Sequence, residues 1–231
     1  MSIALVTGAT GFIGRHLIKK LLERGYKIAI LSRSGRASEE WMDSVEVFKG
    51  DVTQRESLKR ICEGVDVVFH LAANVHDYRG AHENARLHSD VNLEGTRTLL
   101  EECCVSKIKH FIYFSSVKAM AEESSVLLDE SCTPSRLTAY GKSKLLAEKT
   151  SIEFGERCGF RTTILRLPMV YGPGNKGNIY KMIEAIDKRR FAIIGKGCNV
   201  RSMVNVGNVV DAALALADRK QTEGGIFIVT D

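Results

Sequence analysis

The sequence predicts an α/β fold in which helices cover both faces of a doubly wound parallel sheet. Three observations carry this. Short strands alternate with helical segments along most of the chain. The strands are apolar throughout, as strands buried on both faces are. A glycine-rich turn, Gly8-Ala9-Thr10-Gly11-Phe12-Ile13-Gly14, follows the first strand and opens the first helix. Right-handed crossovers then carry the helices to the two faces.

Ile3 to Thr7 is the first strand. Gly14 to Arg24 is a helix, because Leu17, Ile18, Leu21 and Leu22 recur at helical spacing, and Gly25 ends it. Lys27 to Leu31 and Val45 to Lys49 are strands, the second closing in Gly50-Asp51. Glu56 to Cys62 reads as a helix, before the strand Val65 to His70 and the loop Leu71-Ala72-Ala73. Asp90 to Cys104 is helical, Lys109 to Phe114 a strand, Ala139 to Cys158 a long helix, and Arg161 to Arg166 a strand. After Leu167 the pattern changes: Tyr171 to Gly177 is a loop, followed by a helix at Ile179 to Lys188. A strand at Phe191 to Ile194, a helix at Val206 to Ala217 and a last strand at Ile226 to Val229 complete the chain.

With 231 residues, 44% of them apolar, the chain can bury one sizeable core. A charged fraction of 26% and only three prolines argue against disorder. The net charge of +5 is mild and scattered, so no nucleic-acid partner is expected. No apolar run approaches the roughly 20 residues of a membrane span. The first strand begins almost at once, which leaves no room for a signal peptide. These features predict a cytoplasmic protein with reduced thiols. No two of Cys62, Cys103, Cys104, Cys132, Cys158 and Cys198 stand at metal-ligand spacing, and no metal is expected. Adjacent Cys103 and Cys104 read as packing residues at a helix end. His76, His82 and His88 read as exposed, in or near a polar loop.

The glycine turn suits a dinucleotide. Gly8 can take the positive φ of a tight turn, Gly11 lets the backbone approach a pyrophosphate, and Gly14 lets helix and strand pack closely. The helix that follows presents free N–H groups and its positive dipole end. At the end of the second strand no acid is present to hold a ribose diol. Arg33 and Arg36 stand there instead, which favours NADP over NAD. Asp51 is placed to accept from an adenine amino group or to cap the segment near Thr53.

Tyr140 and Lys144 stand four apart on the long helix and so share a face. A free phenol titrates near 10, too high for a base at neutral pH. A neighbouring ammonium would favour the phenolate, allowing Tyr140 to exchange a proton with a substrate alcohol. Ser116, at the end of a preceding strand, would bond the same substrate oxygen. Both would lie at the carboxyl edge of the sheet, where open α/β folds bind ligands.

Several runs in one order resemble the extended short-chain dehydrogenase/reductases, in particular the nucleotide-sugar epimerase/dehydratase group. They are Gly8 to Gly14, Gly50-Asp51-Val52, His70 to Ala73, Val91 to Thr96, Phe114 to Ser116 and Tyr140 to Lys144. Leu165 to Pro168 with Val170 to Gly174, and Arg201 to Val204 with Asn208 to Ala212, complete the set. The resemblance implies a Rossmann-like fold. Residues 1–167 form the dinucleotide-binding domain. Residues 168–231 carry substrate-binding elements and the last helix and strand, with a C-terminal lobe that reads as incomplete. It implies a catalytic trio of Ser116, Tyr140 and Lys144. Gly8, Gly11, Phe12, Ile13, Gly14, Arg33, Asp51, Val52, Leu71, Ala72, Ala73, Asn92, Pro168 and Val170, with Tyr140 and Lys144, then bind NADP or NAD. Ser116, Lys118, Asn175, Lys176 and Arg201 would face a nucleotide-sugar substrate, whose diphosphate needs cations. A homodimer through the helices at 90–104 and 139–158 is a further expectation. The activity expected is epimerisation through a 4-keto sugar. The alternatives are NADPH-dependent reduction of a 4-keto sugar or small carbonyl, and a non-catalytic dinucleotide sensor. Lys118 and Ala119 stand where a dehydratase would want an acidic pair, so dehydration is disfavoured.

Overall fold

A computed structural model of the chain describes residues 2–75, 81–192, 197–218 and 224–231. Seven parallel strands form one sheet. They are β1 (Ile3–Thr7), β2 (Lys27–Ser32), β3 (Val45–Lys49), β4 (Val67–His70), β5 (His110–Ser116), β6 (Arg161–Leu167) and β9 (Ile226–Ile228). Their order across the sheet is β3-β2-β1-β4-β5-β6-β9. It reverses between β1 and β4, so β1 and β4 border the crevice where such sheets take ligands.

Side-chain alternation sends successive strand residues to opposite faces. Val6, Ile30, Phe69, Ile112 and Leu165 bury one face under α1 (Phe12–Glu23) and α6 (Val206–Asp218), through Leu17, Ile18, Leu21, Val209 and Val210. Leu5, Ala29, Val68, Phe111 and Ile164 bury the other under α3 (Gly95–Ser106) and α4 (Ala139–Cys158), through Leu99, Leu100, Ala147 and Phe154. Each fully buried aliphatic or aromatic side chain contributes about 1.5–3 kcal/mol. This two-sided burial is why the strands read as unbroken apolar runs.

The long helix at 139–158 forms with its expected bounds. Thr138 caps it, its Oγ1 accepting from Gly141 N at 3.2 Å, and Gly159 at φ 77° ends it. The segment at 56–62 differs from expectation: it holds only a single 3-10 turn at Arg55–Leu58, followed by turns. Arg60 sits at φ 65°, which breaks the helical path. So short a segment gains too few hydrogen bonds to offset the cost of a helical nucleus. The helix expected from Asp90 is longer and irregular. It begins as α2 (Ala81–His88), widens into a π-helical turn at Ser89–Glu94 and continues as α3.

Beyond β6 the chain adds a second, two-stranded parallel sheet of β7 (Met169–Tyr171) and β8 (Met203–Asn205), with α5 (Asn178–Asp187) between them. Neither was expected from the sequence: unlike β9, which follows Gly224-Gly225, these three-residue strands are not set off as separate apolar runs. Of the strand expected at 191–194, Phe191 and Ala192 are irregular, and the remainder lies outside the described residues.

Two corrections concern cysteine and histidine. Cys104 and Cys158 form a disulfide that ties the end of α3 to the end of α4, contrary to the expectation of reduced thiols. Chain spacing could not show this, because the two residues are 54 apart and meet only when the helices pack. His88, expected to be exposed, is 1% exposed. His82 is exposed as expected, and His76 lies outside the described residues. No helix is long and apolar enough to cross a membrane among the described residues.

Candidate active site

The glycine turn lies at the carboxyl end of β1. Gly8 has φ 71°, and a Cβ there would come within 2.8 Å of Ala72 N. A Cβ on Gly14 would lie 2.3 Å from Gly8 O, and one on Gly11 would lie 3.1 Å from the same oxygen. The turn is therefore closed to any larger side chain at Gly8 and Gly14. No side chain caps the start of α1, and its first turn carries no acid. The first N–H groups of α1, those of Phe12 and Ile13 among them, are left for an anion, which suits the pyrophosphate of a dinucleotide.

The facing wall is the loop after β4. Thr7 Oγ1 accepts from Ala72 N at 3.2 Å and shares a hydrogen bond of 2.6 Å with His70 Nδ1. His70 Nε2 reaches Thr96 Oγ1 at 2.9 Å, so the histidine links β1 to α3. Burial drives its pKa down to about 3, with the Lys144 charge a smaller cause, so the imidazole is neutral at ordinary pH.

The second half of the site comes from β5 and α4. Ser116 ends β5, and its Oγ accepts from Lys118 N at 3.2 Å. Gly141 lets α4 approach this turn: a Cβ there would lie 2.3 Å from Lys118 O. That approach brings Tyr140 within hydrogen-bonding reach of Ser116. Lys144, 2% exposed, donates from Nζ to Phe114 O at 2.7 Å and stands 4.2 Å from the Tyr113 ring centroid.

The electrostatics depart from expectation. Burial pushes the Tyr140 phenol up to about 12, and the hydrogen bond from Ser116 only partly opposes it. Burial also brings Lys144 down to about 7, against the opposing pull of Glu148. The protein's own charges therefore do not lower the phenol. Lys144 spends its hydrogen bond on a backbone carbonyl and is itself held near neutrality.

A cradle closed by glycine, facing a tyrosine, serine and lysine at one sheet edge, is matched by the family model "NAD dependent epimerase/dehydratase family" over residues 4–229. The chain belongs to this family. It is 30% identical over 237 residues to UDP-glucose 4-epimerase of Vibrio cholerae, covering 98% of this chain and 70% of that one. It is 29% identical to a 4-hydroxy-2-methyl-3-oxo-4-farnesyl-3,4-dihydroquinoline-1-oxide ketoreductase of Stigmatella aurantiaca, covering 98% of this chain and 67% of that one. The structure of MoeE5 in complex with UDP-glucose and NAD superposes with a TM-score of 0.86 at 27% identity, covering 99% of this chain and 76% of that one. The family is one of NAD(P)-dependent enzymes, and its Rossmann-like sheet is the one described above.

Other residues singled out from the sequence fall variously within this family frame. Val52 is buried beside Gly95, where a Cβ would lie 2.7 Å from Val52 Cγ2. Leu71 joins the core on one face of the sheet and Ala72 the core on the other, while Ala73 follows them in the same partly buried loop. Asp51 Oδ1 accepts from Thr53 N and Thr53 Oγ1, both at 2.9 Å, so the side chain caps its own turn. Arg33 is exposed, directly after the end of β2. Pro168 lies between β6 and β7, and Val170 lies on β7, both partly buried. Lys118 pairs with Glu122 at 2.5 Å. Asn175 is engaged within its own loop, donating to Val170 O at 2.8 Å and accepting from Gly177 N at 2.6 Å. Lys176 and Arg201 are exposed. The register of β7 with β8 sets Arg201 before the start of the small sheet and the loop holding Lys176 after its end.

Asn92 sits in the π-helical turn and is fully buried. It donates to Ser143 Oγ and to Asn74 O, each at 3.0 Å, and accepts from Asn74 N at 2.7 Å. It thereby joins the loop after β4 to the helix of Tyr140. His88 packs edge-on to the Tyr140 ring at 5.5 Å between centroids and shares a hydrogen bond with Asn74 O at 3.1 Å. Sequence reasoning missed Asn74, His88 and Ser143 as parts of this network. Only the four-residue step from His88 to Asn92, which puts both on one helical face, hinted at it.

Proposed function

We propose that the protein is a nucleotide-sugar epimerase that works through hydride transfer at sugar C4. The observation that carries this reading is the meeting of Tyr140, Ser116 and Lys144 at the sheet edge that also holds the glycine cradle. A nicotinamide dinucleotide would be held by Gly8, Gly11 and Gly14, the start of α1 and the 71–73 loop, and when bound it supplies the hydride acceptor. Tyr140 would take the proton of the C4 hydroxyl as phenolate, a form that the positive charge of a bound oxidised nicotinamide would favour against the burial that raises the phenol, and would later return it. Ser116 bonds the same sugar oxygen and orients it toward the phenol. Lys144 anchors the base of the site by its bond to Phe114 O. The similarity to an enzyme named as a UDP-glucose 4-epimerase supports this substrate class.

A second reading is supported by Arg33. No acid stands at the end of β2 to hold a ribose diol, and an arginine there accommodates a 2′-phosphate. This favours a reductase that uses exchangeable NADPH, in line with the similarity to a named ketoreductase. The decisive experiment adds UDP-glucose or UDP-galactose with NAD, and separately a 4-keto nucleotide sugar with NADPH or NADH. Interconversion of the sugars with no net nicotinamide change supports the epimerase. NADPH consumption that weakens in Arg33→Ala supports the reductase. Dinucleotide binding without either turnover overturns both.

A further inference from the structure

His70 lies wholly buried at the carboxyl end of β4, and the scheme above does not use it. Strand register sets it between Thr7 of β1 and Tyr113 of β5. The other residues of β4, Val67, Val68 and Phe69, are apolar, so burial of the strand does not itself call for an imidazole. The rings of Phe111 and Tyr113 each stand 5.7 Å from the imidazole, centroid to centroid, and hold its plane. Both ring nitrogens face a hydroxyl, Thr7 Oγ1 at 2.6 Å and Thr96 Oγ1 at 2.9 Å.

The direction of these bonds follows from counting protons. A threonine hydroxyl has one proton to give. Thr96 gives it to Asn92 O, one helical turn earlier, at 2.7 Å. Thr96 Oγ1 can then only accept from His70, so His70 Nε2 carries a proton. Burial keeps the imidazole neutral, which leaves Nδ1 bare. Thr7 Oγ1 therefore donates to Nδ1 and accepts from Ala72 N at 3.2 Å. The same sense continues beyond Asn92. Its Nδ2 donates to Ser143 Oγ at 3.0 Å, and Ser143 donates to Tyr140 O at 2.8 Å. Thr7, His70, Thr96 and Asn92 are wholly buried, so bulk water does not compete for these bonds.

We propose that His70, as its Nε2–H tautomer, is a positioning residue: it sets the wall formed by Thr7 and Ala72 against Asn92, and through Ser143 against the turn of α4 that carries Tyr140. One end of this chain is the closest approach within the cradle, since a Cβ on Gly8 would meet Ala72 N at 2.8 Å. The other end is the backbone of Tyr140 itself. A dinucleotide held at the first end is thereby kept in place relative to the phenol at the second. The consequence for turnover rests on the active-site reading above. The tautomer does not, and it can be read without substrate.

Long-range 1H–15N correlation of the 15N-labelled protein at neutral pH reads the tautomer, with the His70 signals assigned by their contacts with the Phe111 and Tyr113 rings. A protonated Nε2 beside a bare Nδ1 is expected, and a protonated Nδ1 overturns the proposal. This measurement uses the unaltered protein, so it decides even if the variants fail to fold. Thr96→Val then removes the acceptor of His70 at nearly equal volume. Affinity for NADH and NADPH, by fluorescence titration of the folded variant, should fall by about threefold or more, the scale of one neutral hydrogen bond. Thr96→Ser, which keeps the hydroxyl, should restore it. Thr7→Val breaks the same chain on the other side of the ring, so the double variant should bind within about twofold of the weaker single one. A merely structural histidine would lower the thermal midpoint and leave the affinity of the folded variants unmoved. That result overturns the proposal, and so do two losses that multiply. If the losses appear as expected in a protein that turns over no nucleotide sugar, the active-site reading fails and this inference stands. Turnover combined with unmoved or multiplying affinities overturns this inference and leaves the active-site reading standing. An unaltered protein that binds neither dinucleotide overturns both.

Discussion

Tyr140 and Lys144 start from opposite problems with one cause. Burial disfavours charge on both, so the phenol is pushed up to about 12 and the amine down to about 7. A phenol in that state needs help to lose its proton, and Ser116 is the protein's own donor toward it. Replacing Tyr140 with Phe should lower turnover by about 10²–10⁴-fold, the usual range for a lost acid–base group. Dinucleotide binding, followed by nicotinamide fluorescence, should change little, since the cradle lies on other elements. Binding lost together with turnover would show that Tyr140 mainly holds the cofactor. The residue pair was legible in the sequence by its four-residue spacing. Its electrostatic state was not, because desolvation depends on what β4 and β5 pack around it.

At the scale of elements, the cradle is a matter of clearance. A methyl group on Gly14 would sit 2.3 Å from Gly8 O, with backbone on each side. Gly14→Ala should therefore displace the start of α1 and weaken dinucleotide binding by tenfold or more, measured by fluorescence titration. Unaltered binding would mean that the helix start is not the phosphate site. The α3–α4 pair makes a second case. The Cys104–Cys158 bond closes a loop of 54 residues, which should stabilise the fold by about 2–4 kcal/mol. Reduction should then lower the thermal midpoint of the protein but not that of Cys158→Ser. Equal midpoints with and without reductant would sink this expectation. The π-helical turn at Ser89–Glu94 belongs here too. Apolar periodicity reports a helix but not a widened turn, and the turn matters because it aims Asn92 at Asn74 and Ser143.

Across the whole molecule, two buried histidines tie stability to pH. Burial brings both His70 and His110 down to about 3, with Lys144 and Arg161 as the smaller respective causes. Unfolded, each would titrate near 6.5, so between about 6.5 and 3 the unfolded chain binds more protons than the folded one. Stability should fall as pH drops through that window, by an amount on the order of a few kcal/mol per histidine when complete. Thermal unfolding from pH 7 to pH 4 checks this, and His70→Gln should flatten part of the slope. A midpoint flat over that range would show that the histidines are not buried neutral.

The sequence by itself determined the sheet, its parallel sense, the glycine turn and the residues proposed as the catalytic trio. Each of these is local: apolar runs flanked by turn residues, glycines at a strand end, and two side chains a helical turn apart are all read within a few positions. Tertiary structure alone decided the Cys104–Cys158 bond, the burial of His88 against Tyr140 and the buried ion pair of Glu148 with Arg166. It also decided the pairing of β7 with β8, whose strands are separated by all of α5. These features join positions distant in the chain, and their chemistry follows from desolvation, which exists only once the helices and the sheet have closed over them.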